Sequence, residues 1–338
     1  MISLYRWLPG QKFGTWADLP DLPANGCHLP EGEVWWIDLD DPSPEEEELV
    51  FKKFLPVHPL TLDDMTLPRR EPDRPPHFPK VEEFPDYLFV VANPLRAPAD
   101  PQPPETDPAR CVVQLSAVVS HQVLITHHYP TLSAVGAVKQ FLHRHAEQAG
   151  RGPDYLFHLV LDQIVDDYAP EVDHLVARLD EIEVQVFETP SQQLVAELVH
   201  LKRRVIALRK TLILMREVLA RLIRGEFELV DEREIVYYRN VFDHLVRYTE
   251  LIEGAREMVS DLMQTHLAAQ SNKLNGIMKA LAMVSTVILP MSLISGIYGM
   301  NFKNMPELEW RNGYYMALGL MVIVAAVALG VFYRKKWL

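Results

Sequence analysis

The chain has 338 residues, 48% of them apolar, with a formal charge of -13 and 2 cysteines. That charge argues against a nucleic-acid partner held through its phosphates. Cys27 and Cys111 offer neither a disulfide framework nor metal-ligand spacing, so reduced cytosolic thiols are the expectation. Residues 1–10 lack the apolar core of a signal peptide, which leaves most of the chain on the cytoplasmic side.

Residues 1–140 read as mixed α/β. Val34-Trp35-Trp36-Ile37-Asp38-Leu39 has the β-branched and aromatic make-up of a strand. In Ser43-Pro44-Glu45-Glu46 the serine caps a helix, proline takes its first position and the acids favour its first turn. The run Glu45 to Glu48 is read as solvated. Segments 87–92, 111–119 and 122–126 are further strands, and the proline-rich stretch 94–108 is an exposed loop. His127 and His128 fall just past the last strand, where an exposed turn is expected rather than a metal site.

Helical periodicity takes over at residue 155. One helix is expected over 155–187 and a second over 192–224, with Thr189-Pro190-Ser191 between them as the turn of an antiparallel hairpin. The first is acidic (Asp162, Asp166, Asp167, Asp173, Asp180, Glu181, Glu183) and the second basic (Lys202, Arg203, Arg204, Arg209, Lys210, Arg216, Arg221). Ion pairing between them and ion sensing are both open. Residues 234–299 contain no strong breaker before Pro290. As one helix they reach about 100 Å at 1.5 Å per residue, too long to be buried in a small domain.

Segments 280–299 and 314–333 carry no charge, and each matches the about 20 apolar residues that cross a bilayer. Lys273 and Lys279 precede the first span, and Arg334, Lys335 and Lys336 follow the second; the loop between holds Lys303 and Arg311, offset by Glu307 and Glu309. The positive-inside rule puts both termini in the cytoplasm and residues 300–313 outside.

Small or polar residues recur at helical spacing along the first span: Gln264, Ser271, Asn275, Met278, Ala282, Ser285, Leu289, Ser292 and Gly296. Such a stripe suits packing in a bundle or lining water, and gains nothing from lipid. Two spans cannot enclose an aqueous path, so a pore needs several copies of the chain. Asn301 would then form an outer ring of amide oxygens, Asn275 an inner polar ring, and Leu281 and Leu289 narrow apolar rings able to gate by dewetting. Neutral amide oxygens accept hydrogen bonds from the tightly held water shell of magnesium without stripping it. No His/Cys cluster favouring zinc lies near the spans.

At Tyr298-Gly299-Met300-Asn301-Phe302, Met305-Pro306-Glu307-Leu308 and Lys335-Lys336-Trp337-Leu338 the chain resembles the CorA family of magnesium channels. The likeness extends upstream to His58-Pro59-Leu60, Asp63-Asp64, Pro79-Lys80-Val81-Glu82, Val165-Asp166-Asp167-Tyr168 and Ser271-Asn272-Lys273 with Asn275. The resemblance implies a funnel-shaped α+β homopentamer in the inner (plasma) membrane. Its parts would be a cytoplasmic α/β domain (1–150), a helical hairpin and stalk (151–279) and a transmembrane domain (280–338). It implies an ion-selectivity site at Gly299, Met300 and Asn301, with Asn275 lining the inner pore and Met278, Leu281 and Leu289 at its apolar constriction; the stripe adds Ser285 and Ser292 to the expected lining. Magnesium would be cargo and also regulator, with cobalt or nickel as further cargo and bilayer lipid as the surroundings. Asp64 matches one gating carboxylate, but Asn240 stands where its partner aspartate is expected, which shifts the regulatory metal toward Asp243. Two other readings share these features: a zinc transporter of the same superfamily, and a membrane-tethered scaffold without flux. An enzyme is not expected, because no phosphate-binding glycine loop, nucleophile elbow or zinc-protease motif is present.

Overall fold

The computed structural model describes residues 2–9, 15–18, 29–96, 111–188, 192–301, 305–306 and 309–337, with backbone alone at 15–18, 187–188 and 192. Most of the proline-rich stretch, the turn at 189–191, Cys27, Lys303, Glu307 and Leu338 lie outside them. The chain divides into two compact units, Met1–Gln185 with Ser191–Leu262, and Val186–Pro190 with Met263–Leu338.

Seven strands of the first unit form one sheet: β1 (Ile2–Trp7), β2 (Thr15–Asp18), β3 (Val34–Asp40), β4 (Lys80–Glu83), β5 (Leu88–Ala92), β6 (Leu115–Val119) and β7 (Val123–His128). Their spatial order is β2-β1-β3-β7-β6-β5-β4. Only the β3–β7 pairing is parallel among these, with Trp36 opposite Leu124 and Asp38 opposite Thr126. The central strands are buried along their whole length, so both faces of the sheet are covered and the apolar pattern does not alternate.

One face carries Trp35, Ile37, Leu39, Phe89, Val91, Val123 and Ile125, packed with Phe51, Phe54 and Met65. Those last three come from the segment after α1 (Pro44–Glu48) and from α2 (Pro59–Arg70). The capping box forms as the sequence predicts: Ser43 Oγ accepts from Glu46 N at 3.3 Å, and Ser43 N donates to Glu46 Oε2 at 2.8 Å. His58 caps α2, its Nδ1 accepting from Leu60 N at 3.2 Å, and Pro59 takes the first helical position. The His-Pro-Leu motif is therefore a helix start. The opposite face of the sheet is covered by α4 (Pro153–Asp166), which packs on β3, β6 and β7, and α3 (Ser133–Arg144) packs on α4.

The expected single helix over 155–187 is two, α4 and α5 (Tyr168–Glu188), separated at Asp167. Pro170 has no N–H to give the Asp166 carbonyl, which weakens the ladder at that turn. Asp167 makes use of the break by accepting from Ser133 Oγ and Gln163 Nε2, each at 3.1 Å.

α6 (Gln192–Ile223) and the 64-residue α7 (Ile235–Tyr298) follow. Buried residues recur at alternating steps of three and four along all three helices: Tyr168, Val172, Leu175, Leu179 and Ile182; Leu198, Leu201, Val205, Leu208 and Leu212; Tyr238, Val241, Leu245, Tyr248, Ile252, Ala255, Val259 and Leu262. This is the heptad seam of coiled-coil packing. The acid–base pairing expected between the first two helices amounts to Glu171–Arg204 and Arg178–Glu197, each at 2.6 Å. Both are partly solvated and worth about 0–1 kcal/mol each, so the apolar seam does most of the stabilising. Arg209 pairs with Glu253 on α7 instead.

The start of α7 is pinned to the α/β layer by Arg151. Its guanidinium lies 4.1 Å from the ring centroid of Tyr155 and 4.4 Å from that of Tyr237. It donates to both carboxylate oxygens of buried Glu234 at 2.9 Å and to Tyr237 Oη at 2.8 Å. The adjoining Gly152 has φ +134, and a Cβ there would meet Asp154 Oδ1 at 2.6 Å, so only glycine fits. Beside this cluster His158 is 5% exposed among Tyr155, Tyr237 and Tyr238. Burial, helped by the charge of Arg151, pushes its pKa down from 6.5 to about 4.

That depression has a pH signature. The unfolded chain takes up the proton first as pH falls, so stability is lost between pH 6.5 and about 4. His158→Phe should remove about 2 kcal/mol of the stability lost on going from about pH 7 to about pH 5. Denaturant midpoints of both proteins at the two pH values check this; parallel shifts would contradict it.

Candidate functional site

The second unit contains the end of α7 and α8 (Gly313–Arg334), both long and apolar enough to cross a membrane. Their large side chains, including Leu281, Leu289, Leu293, Val322 and Ile323, are exposed. So much bare apolar surface on helices whose backbone is internally satisfied suits lipid or other helices, not water.

The few half-buried residues of α7 in this stretch are Lys279, Met283, Val287, Pro290, Met291, Ile294 and Tyr298. On α8 they are Ala317, Met321, Val324, Ala325 and Ala328, with Phe332 buried. Each set falls on one side of its helix, at steps of mostly three and four. At one end Ile288, Met291, Ser295 and Tyr298 border a groove of about 660 Å³ with Tyr314, Ala317 and Met321. At the other, Lys279 Nζ donates to the Lys336 carbonyl at 3.4 Å. The helices are thus an antiparallel pair, and the alanines of α8 allow close approach.

At about 100° per residue, Met278, Ser285 and Ser292 lie on the side of α7 turned away from this seam. Leu281 and Leu289 flank them, Asn275 lies further to one side, and Ser292 also borders the groove. All six are exposed. The polar stripe read from the sequence is therefore not consumed by packing against α8. α7 ends at Tyr298, where Gly299 N still donates to Ser295 O at 2.9 Å and Met300 N to Ile297 O at 3.2 Å. Met300 and Asn301 are exposed beyond the last turn. A Cβ on Gly299 would stand 3.1 Å from Ser295 O, so a larger residue would have to shift the start of this segment.

In the first unit, among the described residues, Asp162, Asp166 and His244 bring one ligand atom each to within 4.8 Å of one another. Asp162 and Asp166 are one turn apart on α4, and His244 comes from α7, its Nδ1 3.4 Å from Asp166 Oδ1. Asp162 Oδ1 is buried without a hydrogen-bond partner. Burial, then the charge of Asp166, raise the Asp162 pKa against the opposing effect of His244. A cation would relieve both pressures: the two carboxylates with water suit magnesium, and the imidazole adds a ligand that favours transition ions such as nickel or zinc.

The profile of the CorA-like Mg2+ transporter protein family matches residues 31–335. The chain belongs to that family. It is 31% identical over 287 residues to the cobalt/magnesium transport protein CorA of Thermotoga maritima, covering 85% of this chain and 78% of that protein. The corresponding protein of Methanocaldococcus jannaschii is 24% identical over 305 residues, covering 90% and 91%. The complete structure of the M. jannaschii CorA magnesium transporter superposes with a TM-score of 0.80 at 21% identity, covering 100% of this chain and 99% of that one. At that identity the likeness speaks for the fold.

Within this CorA-family chain the regulatory candidates are dispersed. Asp64, on α2, accepts from Lys80 Nζ at 2.5 Å, and Lys80 also donates to Glu82 at 2.7 Å. Asp243 and Asn240 are exposed on α7. None of the three belongs to the Asp162–Asp166–His244 group. That group escaped the sequence reading because its third member comes from another helix; the one-turn spacing of Asp162 and Asp166 was its visible trace.

The histidine and acid-run expectations need correcting. His127 and His128 are not in an exposed turn: β7 runs to His128, and they are 2% and 1% exposed. Successive strand residues face opposite sides. His127 Nε2 donates to Glu47 Oε1 at 3.1 Å, and Tyr129 Oη and Arg69 Nη2 donate to the same carboxylate at 2.6 and 2.7 Å. Glu47 is thus the buried member of a run read as solvated. Burial holds His127 below its ordinary pKa, so it is the neutral partner. On the other face His128 Nε2 lies 3.2 Å from Asp38 Oδ1, and Lys139 Nζ 2.6 Å from Asp38 Oδ2. Burial works against both charges there. The contacts overcome it, raising the His128 pKa and lowering that of Asp38.

These are structural ion networks. Asp38→Asn would leave Lys139 and His128 without that carboxylate and should cost about 3–5 kcal/mol of unfolding free energy. A denaturant midpoint like that of the wild type would contradict the assignment.

Proposed function

We propose that the chain is a divalent-cation channel carrying magnesium into the cell down its electrochemical gradient, with cobalt and nickel as further cargo. The observation that carries this reading is the exposed stripe Asn275, Met278, Leu281, Ser285, Leu289 and Ser292, centred opposite α8 and leading to Gly299-Met300-Asn301. The names of the two CorA relatives, both cobalt/magnesium transport proteins, point the same way.

In this reading several copies, five by family resemblance, set the stripes of α7 around one axis in the inner (plasma) membrane. Both termini are cytoplasmic, by the excess of Lys and Arg at that end. Asn301 and backbone carbonyls at Gly299 and Met300 accept hydrogen bonds from the water shell of magnesium, which the ion gives up reluctantly. A neutral ring holds the hydrated ion weakly enough to release it, as conduction requires. Met278, Leu281 and Leu289 form the apolar constriction below, and Asn275 the inner polar ring.

Uptake of magnesium, cobalt and zinc into liposomes containing the purified protein tests this. Magnesium flux should exceed zinc flux, and Asn301→Ala should lower magnesium flux by at least about tenfold, the effect of losing a single strong hydrogen bond to the ion's water and a lower bound when every copy loses one. Undiminished flux would falsify the selectivity role. Preference for zinc would favour a zinc transporter, and no flux of any ion a membrane-tethered scaffold.

Regulation is assigned to Asp162, Asp166 and His244, with Asp64 and Asp243 as candidate contributors where copies meet. Magnesium there would stabilise the closed pore as the cell fills. The double variant Asp162→Asn/Asp166→Asn should raise the internal magnesium concentration that half-inhibits uptake by roughly fivefold or more. An unchanged inhibition curve would remove this cluster from gating.

A further inference from the structure

Apart from Glu307 and Glu309 in the loop between the spans, no Asp or Glu occurs in 262–338, in a chain of formal charge -13. Five cations, Lys273, Lys279, Arg334, Lys335 and Lys336, stand at the end of the helix pair remote from Asn301. All are exposed except Lys279, which is half-buried. The salt bridges of the described residues include none of the five.

The residues after α8 fold into a defined turn. Lys336 N donates to Tyr333 O at 3.1 Å and Trp337 N to Phe332 O at 2.9 Å, the bonding pattern of a Schellman cap. Its left-handed position is held by Lys336 at φ +53, where glycine is usual. Its apolar contact is Trp337 stacked on Phe332, with ring centroids 5.8 Å apart and planes 4° apart. Lys279 of α7 closes the assembly, its Nζ 5.6 Å from the Trp337 ring centroid and bonded to the Lys336 carbonyl. The cap thus holds an indole and two lysines beside a third lysine where the apolar spans begin.

We propose that this end of the helix pair is a binding site for the phosphate groups of anionic phospholipids. Four or more Lys and Arg immediately beside a membrane helix attract anionic headgroups, at about fivefold in affinity per charge, and tryptophan settles at headgroup depth. With no Asp or Glu side chain nearby in the sequence at this end, phosphate oxygens are a complementary charge that the bilayer itself supplies. Lys279, Lys335 and Lys336 would donate to the phosphate, Arg334 and Lys273 would add field, and Trp337 would cover the glycerol end.

The test uses the full-length protein in detergent, titrated with fluorescent phosphatidylglycerol, with phosphatidylcholine bearing the same label, and with inorganic phosphate as competitor. Phosphatidylglycerol should bind at least about tenfold more tightly than phosphatidylcholine, and the preference should shrink as salt rises from roughly 50 to 500 mM. Lys335→Gln/Lys336→Gln should weaken phosphatidylglycerol by roughly thirtyfold, at about fivefold per charge, and leave phosphatidylcholine unchanged. Lys52→Gln/Lys53→Gln, in the first unit, should change neither. Equal binding of the two lipids, or a preference that survives the Lys335/Lys336 change, would overturn the proposal. Full displacement by millimolar phosphate would overturn the lipid assignment in favour of a free anion. No transport is measured, so failure here leaves the channel reading where it stands.

Discussion

One helix has to satisfy two environments. Up to Leu262, α7 buries a residue at every third or fourth position, and its outer face is charged like that of any helix in water. Beyond Lys279 it has no charge and leaves its large side chains bare. A backbone that makes its own hydrogen bonds can run from one medium into the other without a break, which a strand or loop could not do. Even Pro290, which removes one donor from the ladder, lies inside the helix. Asn275, Ser285 and His244 all belong to this one element.

The rest of the first unit holds the start of that element in place. The sheet is closed on both faces, and its two buried acid networks, around Glu47 and Asp38, bind β7 to the helices on either side. At the edge of this layer Arg151 clasps Glu234 and Tyr237 at the beginning of α7, and Tyr238 donates to the Asp154 carbonyl at 2.7 Å. Salt bridges of this buried kind add little net stability over an apolar core, but they tolerate no missing partner. They fix the start of the helix that carries His244 to within 3.4 Å of Asp166.

Legibility followed the range of the interactions. Long periodic segments and local caps were plain in the residues: the two apolar spans, α6, the body of α7 and the Ser43 capping box each depend on neighbours a few positions away. The break at Asp167 was missed because Pro170 sits in an otherwise helical pattern and the partners that reward the break, Ser133 among them, are distant. The burial of His127, His128 and Glu47 could not be read either, since each becomes acceptable inside only through a partner from another element. The stripe on α7 was visible as spacing, but which way it faced depended on where α8 lies. The Asp162–Asp166–His244 group needed the same long-range information.

The central claim is that the face of α7 opposite α8 lines water between copies of the chain. Thiol accessibility in liposomes measures this directly, using a protein freed of Cys27 and Cys111 and given single cysteines at Ser285, Leu289 or Val287. A charged, water-soluble thiol reagent should modify Ser285→Cys and Leu289→Cys and block magnesium uptake, while Val287→Cys, in the seam with α8, stays unmodified. Modification of Val287→Cys with Ser285→Cys protected would contradict the account, because the stripe would then face lipid or protein and the ion path would lie elsewhere.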